Sequence, residues 1–215
     1  MIAELKRRSP SAGAINLTMP IASRAGDYAA AGAVALSVLT EPDAFGGSLD
    51  DLRAVALATP LPLLRKDFIV HRLQLLEARV AGASAVLLIA RALAPSLFSA
   101  LAADAERAGL EVLLEVRDED ELERALQVRD AVIGVNNRDL ETLDMDATVS
   151  ARLLPRVPRD RVAVYESGVR DRADVERAAA LGADAVLVGS SLSRADDGAA
   201  IVRALTGVSR RPRDR

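Results

Sequence analysis

The strongest constraint on this chain is a rhythm. Eight short runs rich in Val, Leu and Ile, at 2–5, 34–39, 61–64, 85–89, 111–116, 131–135, 162–165 and 185–188, alternate with longer segments of helical spacing. Most of these runs lack polar alternation, the pattern of parallel strands covered on both faces. Helical spacing fills 20–31, 72–81, 95–108, 119–128 and 172–181 between them. Gly32, Gly82, Gly109 and Gly182 each close a helix just ahead of a strand, the place glycine favours. Eight runs in 215 residues give about 27 residues per unit, close to the ~30 of a strand–helix–strand step. The segments AGAVALSVL, AGASAVLLI and LGADAVLVG echo one another, with glycines at 32, 82 and 182. Alternating strand and helix imply a parallel sheet, and eight units point to a closed (β/α)8 barrel. An open doubly wound sheet fits the same alternation. No GxGxxG follows the first strand, which counts against its dinucleotide-binding version.

Composition then removes whole classes of chemistry. The chain has no Cys, so disulfides, thiolate nucleophiles and Cys-bound metals are excluded. It has one His, His71, which opens a helix away from the strand ends and reads as a helix-start residue. A formal net charge of −3 with no long basic run inside the body argues against nucleic acid. No apolar run approaches the roughly 20 residues that cross a bilayer. Glu4, Lys6, Arg7 and Arg8 stand where a secretion signal needs its apolar stretch, so a cytoplasmic protein is expected. One catalytic domain is expected over 1–206. The basic stretch 207–215, with four Arg and no core pattern, reads as a solvated, disordered tail.

In a barrel, catalytic groups sit at the C-terminal ends of strands. The first strand ends in Glu4 and Lys6, two apart and so on one face. The third ends at Lys66 and Phe68, the fifth at Glu115, the sixth at Asn136, followed by Asn137 and Arg138. The seventh ends at Glu166, then Ser167 and Gly168, and the eighth runs into Gly189, Ser190 and Ser191. Taken singly, each charge reads as a solvated rim group. Taken together, Glu4, Lys6, Lys66, Glu115 and Glu166 converge on one mouth, where buried charges must pair or face a ligand. Two neighbouring lysines are expected to lower each other's pKa and make one a proton donor near neutrality. The small residues and free N–H groups after strands seven and eight suit a phosphate, although Ser is also a plain helix cap. Aromatics are only 2% of the chain. Phe98 falls in a helical stripe and reads as core, whereas Phe45 and Phe68 lie by the mouth and suggest a planar ligand.

The segments IAELKRRSPSAG, SVLTEPDAFGGS, LPLLRKDFIV, VLLEV, IGVNNRDLETL, ESGV and VLVGSSL, in this order from residue 1 to about 193, resemble the indole-3-glycerol-phosphate synthases of tryptophan biosynthesis. The resemblance implies a single (β/α)8 TIM barrel of the ribulose-phosphate-binding type. It implies ring closure of 1-(2-carboxyphenylamino)-1-deoxyribulose 5-phosphate with loss of carbon dioxide and water, and neither metal nor organic cofactor. Lys66 would be the general acid at the ribulose carbonyl oxygen. Glu115 and Lys6 would serve the dehydration as an acid–base pair, with the direction of each transfer open. Glu4 would orient Lys6 or Lys66, while Asn136 and Glu166 hold substrate hydroxyls. Arg138 would position Glu166 or the anthranilate carboxylate. Phe45 and Phe68 would flank the ring, and Ser9, Ser167, Gly168, Gly189 and Ser190 would hold the phosphate. The implied partner is this phosphorylated small molecule, with neither nucleic acid nor membrane, and the chain is expected to be a monomer or weak homo-oligomer.

Three departures from the family pattern stand out. Met1 begins almost on the first strand, where relatives carry a leader with a helix over the mouth, and a raised KM is the expected consequence. Ala12 replaces a frequent Lys, and Tyr165, expected to point away from the barrel interior, replaces a smaller residue. A neighbouring phosphate-binding barrel, phosphoribosylanthranilate isomerase, relies on a Cys–Asp pair that a Cys-free chain cannot supply. A truncated paralogue that binds ligand or a protein partner with little catalysis is the alternative of another class.

Overall fold

The computed structural model describes residues 1–211 and Arg213; positions 212, 214 and 215 of the expected tail lie outside the described residues. Eight parallel strands close into a barrel: β1 (Ile2–Leu5), β2 (Ala35–Leu39), β3 (Leu63–Lys66), β4 (Ala85–Ile89), β5 (Glu111–Val116), β6 (Val132–Asn136), β7 (Ala163–Glu166) and β8 (Ala185–Val188). Closure is made by β8 beside β1, with Ile2 opposite Leu187 and Ala3 opposite Val188. Helices α1 (Ile21–Ala30), α2 (Leu49–Ala58), α3 (Arg72–Val80), α4 (Pro95–Arg107), α5 (Glu119–Leu126), α6 (Thr148–Leu153) and α7 (Arg172–Ala180) follow the first seven strands, and α8 (Ser190–Arg194) and α9 (Gly198–Leu205) follow the last.

Strand parity sorts the side chains into two apolar layers. Leu64, Leu87, Ile89, Leu113, Val164 and Leu187 fill the barrel interior. Leu36, Leu88, Leu114, Ile133, Val135 and Tyr165 face outward, in one cluster with Leu52, Leu75, Phe98 and Leu122 of the helices. Tyr165 thus packs under the helices as expected, and Phe98 is fully buried. The same parity decides where the polar ends point. Glu115 shares the inward face with Leu113, Glu166 with Val164, Lys66 with Leu64, and Glu4 with Ile2. Register brings them level: Leu39 lies opposite Lys66, Ile89 opposite Glu115, and Asn136 opposite Glu166.

Gly32, Gly82, Gly109 and Gly182 follow α1, α3, α4 and α7 with φ between +70° and +103°. His71 caps α3, its Nδ1 accepting from the Leu73 N–H at 3.2 Å while Gln74 reaches back to the His71 N–H. Three strands begin and end later than their hydropathy: β3 takes in Lys66, β6 Asn136 and β7 Glu166. The backbone ladder outlasts the apolar run because the last rung carries functional groups instead of packing groups. A two-stranded ribbon, Arg8–Ser9 with Gly13–Ala14, stands over the mouth between β1 and α1. Arg213 is buried instead of solvated, because Asp184 pairs with its guanidinium at 2.8 Å and the Pro158 carbonyl accepts from it at 3.1 Å. Among the described residues, no helix is long and apolar enough to cross a membrane.

Candidate active site

A cavity of about 490 Å3 opens at the C-terminal ends of the strands, within the range of small-molecule sites. It gathers all the sequence-predicted site residues. Glu4, Lys6, Lys66, Glu115, Asn136 and Glu166 form its floor. Phe45 and Phe68, after β2 and β3, line one part of the wall, and Arg138, Ser167, Gly168, Gly189 and Ser190, after β6 to β8, line another together with Ser9. A smaller hollow of about 160 Å3 lies at the other end of the barrel, between Met1, Val34, Ala185 and Leu205. Its charged groups, Asp184 and Arg210, already pair at 2.9 Å, so the reactive groups belong to the larger cavity.

The floor is a network of ions. Lys6 Nζ lies 2.7 Å from Glu4 Oε1. Lys66 Nζ lies 3.2 Å from Glu166 Oε2 and 3.4 Å from Glu115 Oε2. Glu4, Glu115 and Glu166 are each less than 5% exposed. Burial alone would lower the Lys66 pKa, but the carboxylates of Glu166, Glu115 and Glu4 outweigh it and raise the pKa above the usual lysine range. The expectation that a neighbouring lysine brings the Lys66 pKa down therefore fails. Each ammonium sits against carboxylates, and opposite charges at 3 Å dominate over the other lysine. The group brought to neutrality is an acid. Burial pushes the Glu166 carboxyl up, Lys66 pulls it back, Glu115 and Glu4 push it up again, and the balance lies at about 7. Glu4 goes the other way: burial would raise its pKa, but Lys6 and Lys66 together hold it below the usual carboxylate value.

Glycine makes room for two of these carboxylates. A Cβ on Gly189 would stand 2.1 Å from Glu4 Oε1 and 3.0 Å from Lys6 Nζ. A Cβ on Gly134 would stand 2.0 Å from Glu166 Oε1. Gly134 was not singled out from the sequence, although a glycine inside the Val-Ile run VIGVN is a signal of close approach.

The walls come from loops that the strands hold in place. The rings of Phe45 and Phe68 lie 6.5 Å apart, tilted by 50°. Glu41 fixes the Phe45 loop by accepting from the backbone N–H groups of Asp43, Ala44 and Phe45 at 2.8–3.0 Å. Arg138 contributes to the wall, but its guanidinium donates to the Leu143 carbonyl at 2.7 Å rather than reaching Glu166. An isolated bridge between Arg138 and Met145 folds the loop back on itself, and of the two roles implied for Arg138, positioning Glu166 or meeting the anthranilate carboxylate, the second needs no contact with Glu166. Asn136 Oδ1 accepts from the Arg138 N–H at 2.9 Å.

After β7, Ser167 and Gly168 have φ of +65° and +91°. A left-handed serine is uncommon and marks a loop whose shape is held by its surroundings. Asn137 does that holding. Fully buried, it donates to the carbonyls of Glu166 and Ser167 at 3.2 Å and accepts from the Ser150 N–H at 3.1 Å. Its sequence signal was the doubled Asn, since the second of two strand-end residues must point outward and find partners when buried. Gly189 is the N-cap of helix α8 and leaves its first N–H groups without a side-chain cap. Arg170 and Arg194, also on the wall, were not expected there.

Most of the chain has relatives. The family model described as indole-3-glycerol phosphate synthase matches residues 1–205. The indole-3-glycerol phosphate synthase of Opitutus terrae is 50% identical over 207 residues, covering 94% of this chain and 78% of that protein. Indole-3-glycerol phosphate synthase 2 of Streptomyces coelicolor is 49% identical, over 96% of this chain and 80% of that protein. Among solved structures, 3-hexulose-6-phosphate synthase from Salmonella typhimurium superposes with a TM-score of 0.72 at 16% identity, covering 94% of each chain. Tryptophan synthase subunit alpha from Legionella pneumophila does so with a TM-score of 0.68 at 13% identity, covering 94% of this chain and 89% of that one. These two likenesses speak to the barrel alone, whereas identity near one half over more than nine-tenths of the chain speaks to descent. On that ground the chain belongs to the indole-3-glycerol phosphate synthase family.

Proposed function

We propose that this chain closes the indole ring of 1-(2-carboxyphenylamino)-1-deoxyribulose 5-phosphate, giving indole-3-glycerol phosphate, carbon dioxide and water. The observation that carries the reading is the Lys66 ammonium held between Glu166 and Glu115 on the cavity floor. The aromatic carbon that bears the carboxylate attacks the ribulose carbonyl carbon. The carbonyl oxygen becomes alkoxide-like as that bond forms, and Lys66 supplies its proton. An alkoxide is basic enough to take a proton from a lysine ammonium whose pKa is raised, so the carboxylate pairing does not bar the transfer. Charge that develops only in the transition state meets a fixed cation, which is where electrostatic catalysis acts.

The carboxylate then leaves as carbon dioxide and its bonding electrons restore the aromatic ring. Loss of the new hydroxyl as water, with a proton from the adjacent carbon, completes the indole. Lys6 and Glu115 form the acid–base pair for that step. Glu4 holds Lys6, and Asn136 and Glu166 hold the substrate hydroxyls. The aromatic ring lies against Phe45 and Phe68, with Arg138, after β6, toward its carboxylate. The phosphate lies among Ser9, Ser167, Gly168, Gly189 and Ser190, where uncapped N–H groups and glycine backbone accept an anion. The substrate carries a carboxylate and a phosphate; the two lysines are already paired with carboxylates, so Arg138 and Arg194 on the cavity wall offer the positive charge that meets them. The body of the chain is one catalytic domain over 1–206, acting in the cytoplasm.

The rival, a chain that binds this ligand without turning it over, would have no need of five ionisable groups buried against one another. Purified protein mixed with the substrate develops indole fluorescence on this reading. Fluorescence no greater than that without protein overturns it.

A further inference from the structure

Gly134 faces the barrel interior from the middle of β6, opposite Val164 on β7 and Glu115 on β5. Its backbone is regular strand, so no turn geometry asks for glycine, and glycine weakens a strand interior. What excludes a side chain is a neighbour. A Cβ at this position would meet Glu166 Oε1 at 2.0 Å, Glu166 Cδ at 3.2 Å and Leu113 Cδ1 at 3.2 Å. Glu166 therefore occupies the space that a side chain at 134 would fill. Oε1 lies in that space, buried and without a hydrogen-bond partner, while Oε2 reaches Lys66 Nζ at 3.2 Å.

We infer that Gly134 is a positioning residue: the side chain it lacks is the space that seats the Glu166 carboxylate, and that seat sets its contact with Lys66. The inference rests on the reading of Lys66 as the proton donor of ring closure. It adds a requirement on β6 that concerns neither substrate contact nor proton transfer by Gly134 itself. Ordinary contact begins at 3.4 Å, so a methyl group at 134 drives Oε1 back by at least about 1.4 Å. The displaced atom is the tip of a flexible side chain, so the strand survives and the loss falls on the carboxylate. A displacement of that size costs a catalytic group about 100-fold.

The test is a cycle of Gly134→Ala and Glu166→Asp in the full chain, with kcat and KM followed by indole fluorescence. Gly134→Ala is expected to lower kcat about 100-fold with KM little changed. Glu166→Asp alone withdraws the carboxylate by one methylene and also lowers kcat. In the Gly134→Ala background the same change relieves the clash, and kcat recovers at least about tenfold. An unchanged kcat in Gly134→Ala, or additive losses in the double variant, overturns the inference. A second readout needs no turnover: carbon-13 titration of the Glu166 carboxyl, whose midpoint moves in Gly134→Ala if the seat is real. An unchanged midpoint overturns the seat. An inactive native chain with a displaced midpoint overturns the reaction while leaving the seat intact.

Discussion

Replacing Glu166 by Gln tests the electrostatics of the cavity floor without changing its shape. The native carboxyl titrates at about 7 against an ordinary value of 4.5. The folded chain therefore keeps a proton that the unfolded chain releases between those two pH values. Where the unfolded state binds fewer protons, stability falls as pH rises. The native protein thus loses stability from pH 4.5 to 7 on account of this group, and the loss levels off above 7. With about 1.4 kcal/mol for each tenfold change in proton occupancy, the loss is on the order of 3 kcal/mol. Gln has nearly the same volume and does not titrate, so Glu166→Gln lacks this term. Urea unfolding of both proteins at pH 4.5 and pH 8 measures it, because the carboxylates away from the cavity floor are common to the two. The expected result is a native chain that loses about 3 kcal/mol more than the variant between the two pH values. Parallel stabilities would refute the reasoning, since they would mean that Glu166 titrates as an ordinary surface carboxylate.

Two further changes probe the walls. Phe45→Ala removes half of the tilted ring pair beside the cavity and should raise KM roughly tenfold with a smaller effect on kcat, as loss of an aromatic contact of about 1 kcal/mol or more predicts; an unchanged KM would remove Phe45 from the ring-binding wall. Asn137→Ala strips partners from the Ser150 N–H and from the carbonyls of Glu166 and Ser167, and should destabilise the fold by about 1–3 kcal/mol in thermal unfolding. A native melting temperature in that variant would show that the Ser167 loop holds its left-handed shape without Asn137.

The barrel was legible because two periodicities survive in the sequence. Runs such as Leu113–Leu114–Glu115 and Val164–Tyr165–Glu166 state both that a strand is present and which face its last polar residue joins. That is enough to bring five ionisable groups to one mouth. It says nothing of which ion meets which, because partners are set across the barrel. Lys6, just past the end of β1, pairs with Glu4 of that strand, whereas Lys66 on β3 reaches over to β5 and β7. The upward shift of the Lys66 pKa is not legible in the sequence for that reason. Gly134 was passed over because its meaning lies in the carboxylate of the adjacent strand. The ribbon at Arg8–Ser9 and Gly13–Ala14 escaped notice since two-residue strands carry no hydropathy period. Arg138 illustrates a similar limit: its position on the wall was readable, but the Leu143 carbonyl that captures its guanidinium was not.

The central claim is that the Lys66 ammonium supplies the proton for ring closure. Single-turnover reaction of excess protein with the carboxyphenylamino-deoxyribulose phosphate, native against Lys66→Met, isolates that step from product release. Circular dichroism of the variant establishes that it is folded. A positioned general acid contributes about 100- to 10,000-fold, so the folded variant should form indole at least about 100-fold more slowly than the native chain. Indole formation at the native rate by folded Lys66→Met would contradict the account.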